Sequence, residues 1–537
     1  MLRIPYHLDA ASATVFFWGG CVTNPPDSRR NSPTYLSLPA IIVFLCFRHI
    51  FTTFASMNEA IGNNGTAADQ RTMQFGLEVI GNLPYDPNPD QMLLIAQFGK
   101  FMFHSVSDAV FLLGGYAGTG KTSMTGAIVK TLTERNIKCV LLAPTGRAAK
   151  VFSEYSGHTA YTIHRKIYRQ NAYGTEAFSL ADNRHTGTFF IVDEASMISN
   201  SSGESSAFGT GRLLDDLIHY VYSGIDCRLV LIGDRAQLPP VGQTDSPALS
   251  RAVLQSYGLT VYEAFLADTR RQAAQSGILS NATLLRSLMQ QTPLQKPVLN
   301  FSPYSDIQSI SSEFLLEEIS DCYGSDGLTE SIVITRSNKR ATLFNLGIRN
   351  QILFREDELV NGDMLMVSKN NYFWSEQYSE IDFIANGDIM RVVRTHGEVE
   401  SRYGLRFANV TVEFPDHDNL EMDVKIVLDA LVSDAPALSR MQNEQLFADV
   451  MSEFTGDKRT RYKQLKQHPY FNALQVKYAY AVTCYKAQGG QWQNVFIDMG
   501  YIAEEAFTRL DFFRWLYTAI SRARKHVYLI NCPLESI

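Results

Sequence analysis

Residues 109–134 read AVFLLGGYAGTGKTSMTGAIVKTLTE, and the fold turns on this stretch. An apolar run ends in glycines, a loop of small residues follows, and Lys121-Thr122 opens a segment of helical composition that continues to Asn136. A strand, a phosphate-cradling loop and a helix in series account for every part of that pattern. Glycines at 115, 118 and 120, with Thr119 among them, let backbone N–H groups turn inward around a polyphosphate. The helix N-terminus adds positive potential, and Lys121 brings a full charge to the β and γ positions. Thr122 is then placed to ligate Mg²⁺. A Gly-rich turn that merely starts a helix would need neither flank.

Outward from this motif, apolar runs recur as KCVLLAPT, TFFIVDEA and CRLVLIGD, each followed by a turn and a helical pattern. That alternation predicts a parallel sheet covered by helices. A second series, SIVITRSN, YAYAVTCY, NVFIDMG and HVYLINC, follows residue 330 and predicts a second α/β domain of the same style. Two inserts differ in composition: 151–187, in which alternation near Ala172 to Leu180 predicts a small hairpin, and 367–469, whose short strand-like runs predict a β-barrel. The expected boundaries are 57–150 plus 188–285 for the first domain and 286–366 plus 470–537 for the second. The basic run KRTRYKQLK, 458–466, reads as a solvated helix face.

Bulk numbers constrain the partners. The 537 residues are 45% hydrophobic and 19% charged with a net charge of -7, an ordinary globular mix in which any track for nucleic acid has to be local. Seven scattered cysteines without a C-x-x-C pair argue against a disulfide framework or a zinc site and fit a reducing, cytoplasmic compartment. The apolar run Leu38 to Cys46 is too short to span a bilayer, and no membrane association is expected. Residues 1–56 form a poorly defined leader, and Met57 is read as the functional start.

Two further strand ends carry chemistry. TFFIVDEAS puts Asp193 and Glu194 at the end of a buried strand, where paired acids need compensating charge, which Mg²⁺ would bring. Asp193 is assigned to the metal, and Glu194 to orienting and deprotonating the attacking water. In LVLIGDRAQLPPVG, Gln237 sits on a loop stiffened by Pro239 and Pro240 and can sense a γ-phosphate. All three strand ends belong to one crevice of a parallel sheet.

With APTGRAAK (143–150), TIH (162–164), RRQA (270–273), AVTCYKAQGGQW (481–492) and YTAISRAR (517–524) added, the chain resembles superfamily-one helicases of the RecD and Dda branch from Met57 to its C-terminus. The resemblance implies an α/β fold of two tandem RecA-like P-loop domains, with a hairpin in the first and an SH3-like β-barrel in the second. It implies ATP and Mg²⁺, single-stranded and forked or tailed duplex DNA, travel 5′ to 3′, and a monomer that works beside replication or repair proteins. It makes Gln91 the adenine-reading residue and Arg271 and Arg522 arginine fingers, with Lys121, Glu194 and Gln237 completing the catalytic set. Pro144, Thr145, Thr162, His164, Thr335, Asn338, Thr483, Tyr485 and Lys486 match strand-contacting positions, mainly through phosphates. The chain departs from the family at Tyr485-Lys486-Ala487-Gln488, where His-Lys-Ser-Gln is usual, so Tyr485 is expected to stack on a base. Phe178 is expected as a packed hairpin residue before a strand-splitting wedge. The rival readings are a translocase that strips bound proteins without unwinding and a nucleotide-gated scaffold without hydrolysis. Intact Asp193, Glu194 and Arg522 oppose the scaffold.

Overall fold

The computed structural model describes residues 67–534, apart from 105–106, 171–177, 202–207, 269–275, 379 and 382. The leader, Met57, Arg271 with its neighbour Arg270, and the tip of the expected hairpin lie outside the described residues.

The strand quoted first is β1 (Ala109–Gly115), buried at all seven positions. Its side chains alternate between two cores: Val110 and Leu112 enter one, Ala109, Phe111 and Leu113 the other. An unbroken apolar run is what a strand covered on both faces requires. After it come β2 (Lys138–Ala143), β3 (Ala160–Thr162), the short pair β4 (Tyr168–Gln170) and β5 (Phe178–Leu180), then β6 (Thr188–Val192), β7 (Arg228–Gly233) and β8 (Thr260–Leu266). Among the described residues, six of these form a parallel sheet in the order β3-β2-β6-β7-β1-β8, so β1, β6 and β7 end at one crevice. The hairpin β4-β5 stands apart as a two-stranded sheet.

The second lobe uses β9 (Ile307–Ile310) and β10 (Ser331–Thr335), and the chain then leaves to build a closed barrel. That barrel comprises β11 (Met364–Val367), β12 (Ile389–Arg402), β13 (Leu405–Phe414), β14 (Leu420–Val427) and β15 (Leu474–Tyr478). It closes where β14 and β15 pair in parallel, Ile426 beside Leu474, which leaves no free sheet edge. The chain returns as β16 (Ala481–Thr483), β17 (Trp492–Asp498) and β18 (Ala523–Ile530), giving the parallel order β16-β10-β17-β18-β9. At the barrel's root the buried carboxylate of Asp363 accepts from Arg349 at 2.9 and 3.0 Å, Arg355 at 2.8 Å, the Tyr480 hydroxyl at 2.9 Å and the Val360 N–H at 2.9 Å.

Four expected boundaries move. The insert expected from residue 151 begins later, because helix Gly146–Ser156 packs on β2 and β3 pairs with β2 inside the main sheet. The first domain ends before 285: Ile278, Ala282 and Leu285 are buried in the core of the second lobe. The barrel overruns 367–469 at both ends, since Met364–Val367 and Leu474–Tyr478 are two of its staves. Phe178 packs as expected, stacked on Phe208 with ring centroids 4.8 Å apart and 4.5 Å from Tyr372 near the barrel.

Candidate functional site

The loop after β1 turns through Gly118 at φ 74° and Gly120 at φ 89°, conformations that L side chains rarely adopt. A Cβ on Gly120 would also lie 2.7 Å from Nε2 of Gln91. Gln91 is therefore part of the loop's wall. Its amide donates to the Thr119 carbonyl at 3.3 Å, while its oxygen accepts from the Asn88 N–H at 3.0 Å. Asn88 caps in return by accepting from the Gln91 N–H at 2.9 Å, a reciprocal pairing that starts helix Pro89–His104. Lys121 opens helix Lys121–Glu134, and its ammonium donates to the carbonyls of Gly115 at 2.7 Å and Tyr116 at 2.8 Å. Thr122 is exposed beside it.

Asp193 follows β6. Burial, with the charge of Glu194, pushes its carboxyl up to about 6, although the Tyr155 hydroxyl donates to it at 2.6 Å. Glu194 sits at φ 50°, a left-handed backbone that costs on the order of 1–3 kcal/mol and persists where surroundings hold it. Asp234, after β7, is buried and its carboxyl is raised by that burial, against the opposing charge of Lys121. Gln237 is buried three residues on, and its Oε1 has no hydrogen-bond partner among the described residues.

Helix Leu510–Ile520 of the second lobe seals this crevice. Arg522 just beyond it is 4% exposed, and its Nη1 lies 3.8 Å from Oε1 of Glu194 on the other lobe. Its Nε donates to the Thr518 carbonyl at 3.1 Å, which fixes the approach of the guanidinium. Tyr517 reaches farther: its hydroxyl donates to Asp234 at 2.5 Å and accepts from the Ala117 N–H of the phosphate loop at 2.8 Å. Thr518 accepts from the Leu238 N–H at 2.9 Å, and Gln488 donates to the Leu238 carbonyl at 2.8 Å.

The expected strand-contacting residues fall into two matched groups. Thr162 ends β3 beside Ala143, one residue before Pro144 and Thr145, and Thr483 ends β16 beside Thr335 of β10. Thr145 and Thr162 also cap the helices that follow them, accepting from the N–H groups of Ala148 and Arg165. Asn338 is half-buried at the start of its helix. Tyr485 is 39% exposed with its ring at the surface, as stacking requires. Lys486 is half-buried against Asn386, and burial pushes its ammonium down to about 8. His164 packs edge-on to Phe208 and is pushed down to about 4 by burial, so at neutral pH it is an uncharged donor or acceptor. Thr335 departs from its expectation. It is fully buried and its hydroxyl donates to the carbonyls of Ser337 and Val482, so the side chain is turned away from any strand.

Residues 100–290 match a family described as an AAA domain, and 478–530 match the UvrD-like helicase C-terminal domain. The chain is 32% identical over 179 residues to the ATP-dependent RecD2 DNA helicase of Deinococcus radiodurans, covering 32% of this chain and 21% of the relative. It is 24% identical over 342 residues to the ATP-dependent DNA helicase dda of Enterobacteria phage T4, covering 59% of this chain and 72% of that one. The chain is thus similar to ATP-dependent DNA helicases of the RecD and Dda type across both matched regions. A crystal structure of Pif1 helicase from Bacteroides with ADP-AlF3 and single-stranded DNA aligns at a TM-score of 0.42 and 14% identity, over 82% of this chain and 92% of the other. The match to the RecD2 relative thus spans about a fifth of that protein's length.

The residues that sequence reasoning passed over are those joining the lobes. Tyr517 opens the YTAISRAR motif and was within view, since it lies on the same helix end as Arg522. Tyr155 had no local signal, because its partner Asp193 is 38 residues away. Arg514, which donates to Asp245 at 2.8 Å, likewise shows its purpose only in the folded pair.

Proposed function

We propose that the chain is an ATP-driven motor that travels 5′ to 3′ on single-stranded DNA and separates duplex. The observation that carries this reading is Arg522 of one lobe held 3.8 Å from Glu194 of the other, over a phosphate-binding loop. Thr122 and Asp193 fit a Mg²⁺ ion: one is exposed at the helix start, the other is a buried carboxyl that a cation would favour in its charged form. Among the described residues no group of three His, Cys, Asp or Glu could hold a metal ion, so Thr122 and Asp193 are the residues that would hold Mg²⁺ beside bound nucleotide. When bound, Mg²⁺ neutralises charge on the β and γ oxygens.

The chain's own groups do the rest. Lys121 turns from two loop carbonyls to the phosphates, and Gln91 flanks the loop where a base edge would lie. Glu194 orients the attacking water and takes its proton, and Gln237 senses the outer phosphate by donating from its side-chain NH2 group. Arg522, and Arg271 as a second finger, stabilise charge that develops on the transferring group. Bound nucleotide draws the lobes together and its hydrolysis releases them. Pro144, Thr145, Thr162 and His164 grip the strand on one lobe, and Asn338, Thr483, Tyr485 and Lys486 on the other, so alternating grip becomes a step. The experiment is strand separation on forked, 5′-tailed and 3′-tailed duplexes, with ATP and without. ATP-dependent separation of the forked and 5′-tailed substrates is expected. Separation of the 3′-tailed substrate alone reverses the polarity, and stripping of bound protein without strand separation replaces unwinding by translocation.

A further inference from the structure

The hairpin β4-β5 has two chemically distinct faces. Tyr168 pairs with Leu180 and Gln170 with Phe178, whereas Arg169 pairs with Ser179. Because side chains alternate along a strand, Arg169 and Ser179 leave on the side opposite Phe178. Phe178 and Tyr168 pack on Phe208, and Phe178 also meets Tyr372 near the barrel, which uses up the aromatic face. The other face opens on a polar cavity of about 820 Å³, lined by Arg169 and Ser179 together with Tyr161, Lys166, Arg184 and His185.

This cavity is not the groove of the tracked strand. Tyr161 and Thr162 are consecutive in β3, so their side chains leave on opposite faces of the sheet's edge strand. Thr162 belongs with the phosphate-gripping positions, and Tyr161 belongs with the cavity. The charge there is lopsided in a chain that is acidic overall at -7: among the described residues that line it, Arg165, Lys166, Arg169 and Arg184 meet one carboxylate, that of Asp182. Among the described residues, Lys166, Arg169 and Arg184 have no ion-pair partner. Lys166 lies 5.9 Å from the centroid of the Tyr161 ring. Partial burial and the charge of Arg169 lower its ammonium, and burial with the charges of Lys166 and Lys138 lowers His185. Like charges are being held close in a recess, an arrangement that a polyanion relieves. Cations gathered in an open recess, Arg165 and Lys166 beside the half-buried Tyr161 ring, suit a sugar-phosphate backbone.

We infer that this cavity binds the phosphodiester backbone of the DNA strand that the motor does not track, on the outer face of the hairpin. The inference rests on the DNA-motor reading for the identity of the polyanion, but it concerns binding alone and needs no turnover. The test is equilibrium binding without ATP of the full chain and of Arg169→Ala, Arg184→Ala and the pair. The substrates are a fork with two single-stranded arms, a tailed duplex lacking the second arm, and the tailed strand alone. Each lost phosphate contact should lower the salt slope of binding by about 1 on the fork. Binding to the tailed strand alone, and ATP hydrolysis stimulated by it, should stay unchanged, which also shows the variants are folded. A loss on the fork only places the free arm in the cavity, and a loss on fork and tailed duplex alike places the complementary strand of the duplex there. Equal losses on all three substrates would move the cavity onto the tracked strand and overturn the inference. Unchanged slopes in the double variant on every substrate would overturn it as well.

Discussion

Replacing Tyr517 by Phe removes one oxygen from the centre of the interlobe seal and alters no packing volume. That oxygen donates to the buried Asp234 at 2.5 Å and accepts from the Ala117 N–H at 2.8 Å, so its loss leaves a carboxylate and a loop N–H each short of a partner. A net hydrogen bond to a charged group contributes about 1.5–3 kcal/mol. Both partners lie on the first lobe and the hydroxyl on the second, so this energy comes out of closure. At about 1.4 kcal/mol per factor of ten, the closed fraction relative to the open one should fall by about ten- to a hundredfold. Dyes on the exposed Lys130 and Lys339 positions report the lobe separation by energy transfer, with nucleotide titrated. Tyr517→Phe should need correspondingly more nucleotide to reach the closed distance. Titration curves that superimpose on those of the unsubstituted chain would refute the latch.

Other perturbations test separate links. Asp363→Asn leaves the buried Arg349 without its counter-charge and should cost about 3–5 kcal/mol of stability by denaturant unfolding. A loss under ~1 kcal/mol would mean that the barrel's root does not depend on the pair. The proposed grip of Lys486 on phosphate requires an ammonium, and with that group pushed down to about 8 its charge disappears as pH rises through 8. Affinity for single-stranded DNA, followed by anisotropy, should therefore decline between about pH 7 and 9, and Lys486→Arg should flatten the decline, since a guanidinium stays charged there; identical profiles would remove Lys486 from the contact. Phe178→Ala strips the hairpin of its stacking on Phe208 and Tyr372, so it should spare DNA-stimulated ATP hydrolysis while slowing strand separation. Parallel loss of both would make Phe178 a residue of the lobe's general stability.

Much of the nucleotide-binding crevice was legible because its signals are local. The phosphate loop needs its strand before it and its helix after it, and both are written within 109–134. Paired acids after an unbroken apolar run announce a strand end for the same reason. The barrel was legible as a kind of domain but not in its limits, because β11 and β15 carry the same apolar character as the sheet strands beside them. Only the pairing of Leu474 with Ile426 reveals closure. The strand β3 escaped notice as a half-buried edge of three residues, too short to show a period. Thr335 was misjudged because a threonine at a strand end suits a phosphate and a buried backbone carbonyl equally well. Tyr517 and Tyr155 act through partners remote in sequence, and nothing in their neighbours marks those contacts.

The account stands on communication between the lobes through Arg522. The direct measurement is single-turnover ATP hydrolysis with saturating single-stranded DNA in Arg522→Ala, alongside nucleotide affinity in the same variant. A lost arginine finger should slow hydrolysis by about 10³-fold or more while nucleotide still binds. Hydrolysis at the unsubstituted rate would mean that the second lobe contributes nothing to the chemistry, and the coupling of ATP to movement would have to be sought elsewhere.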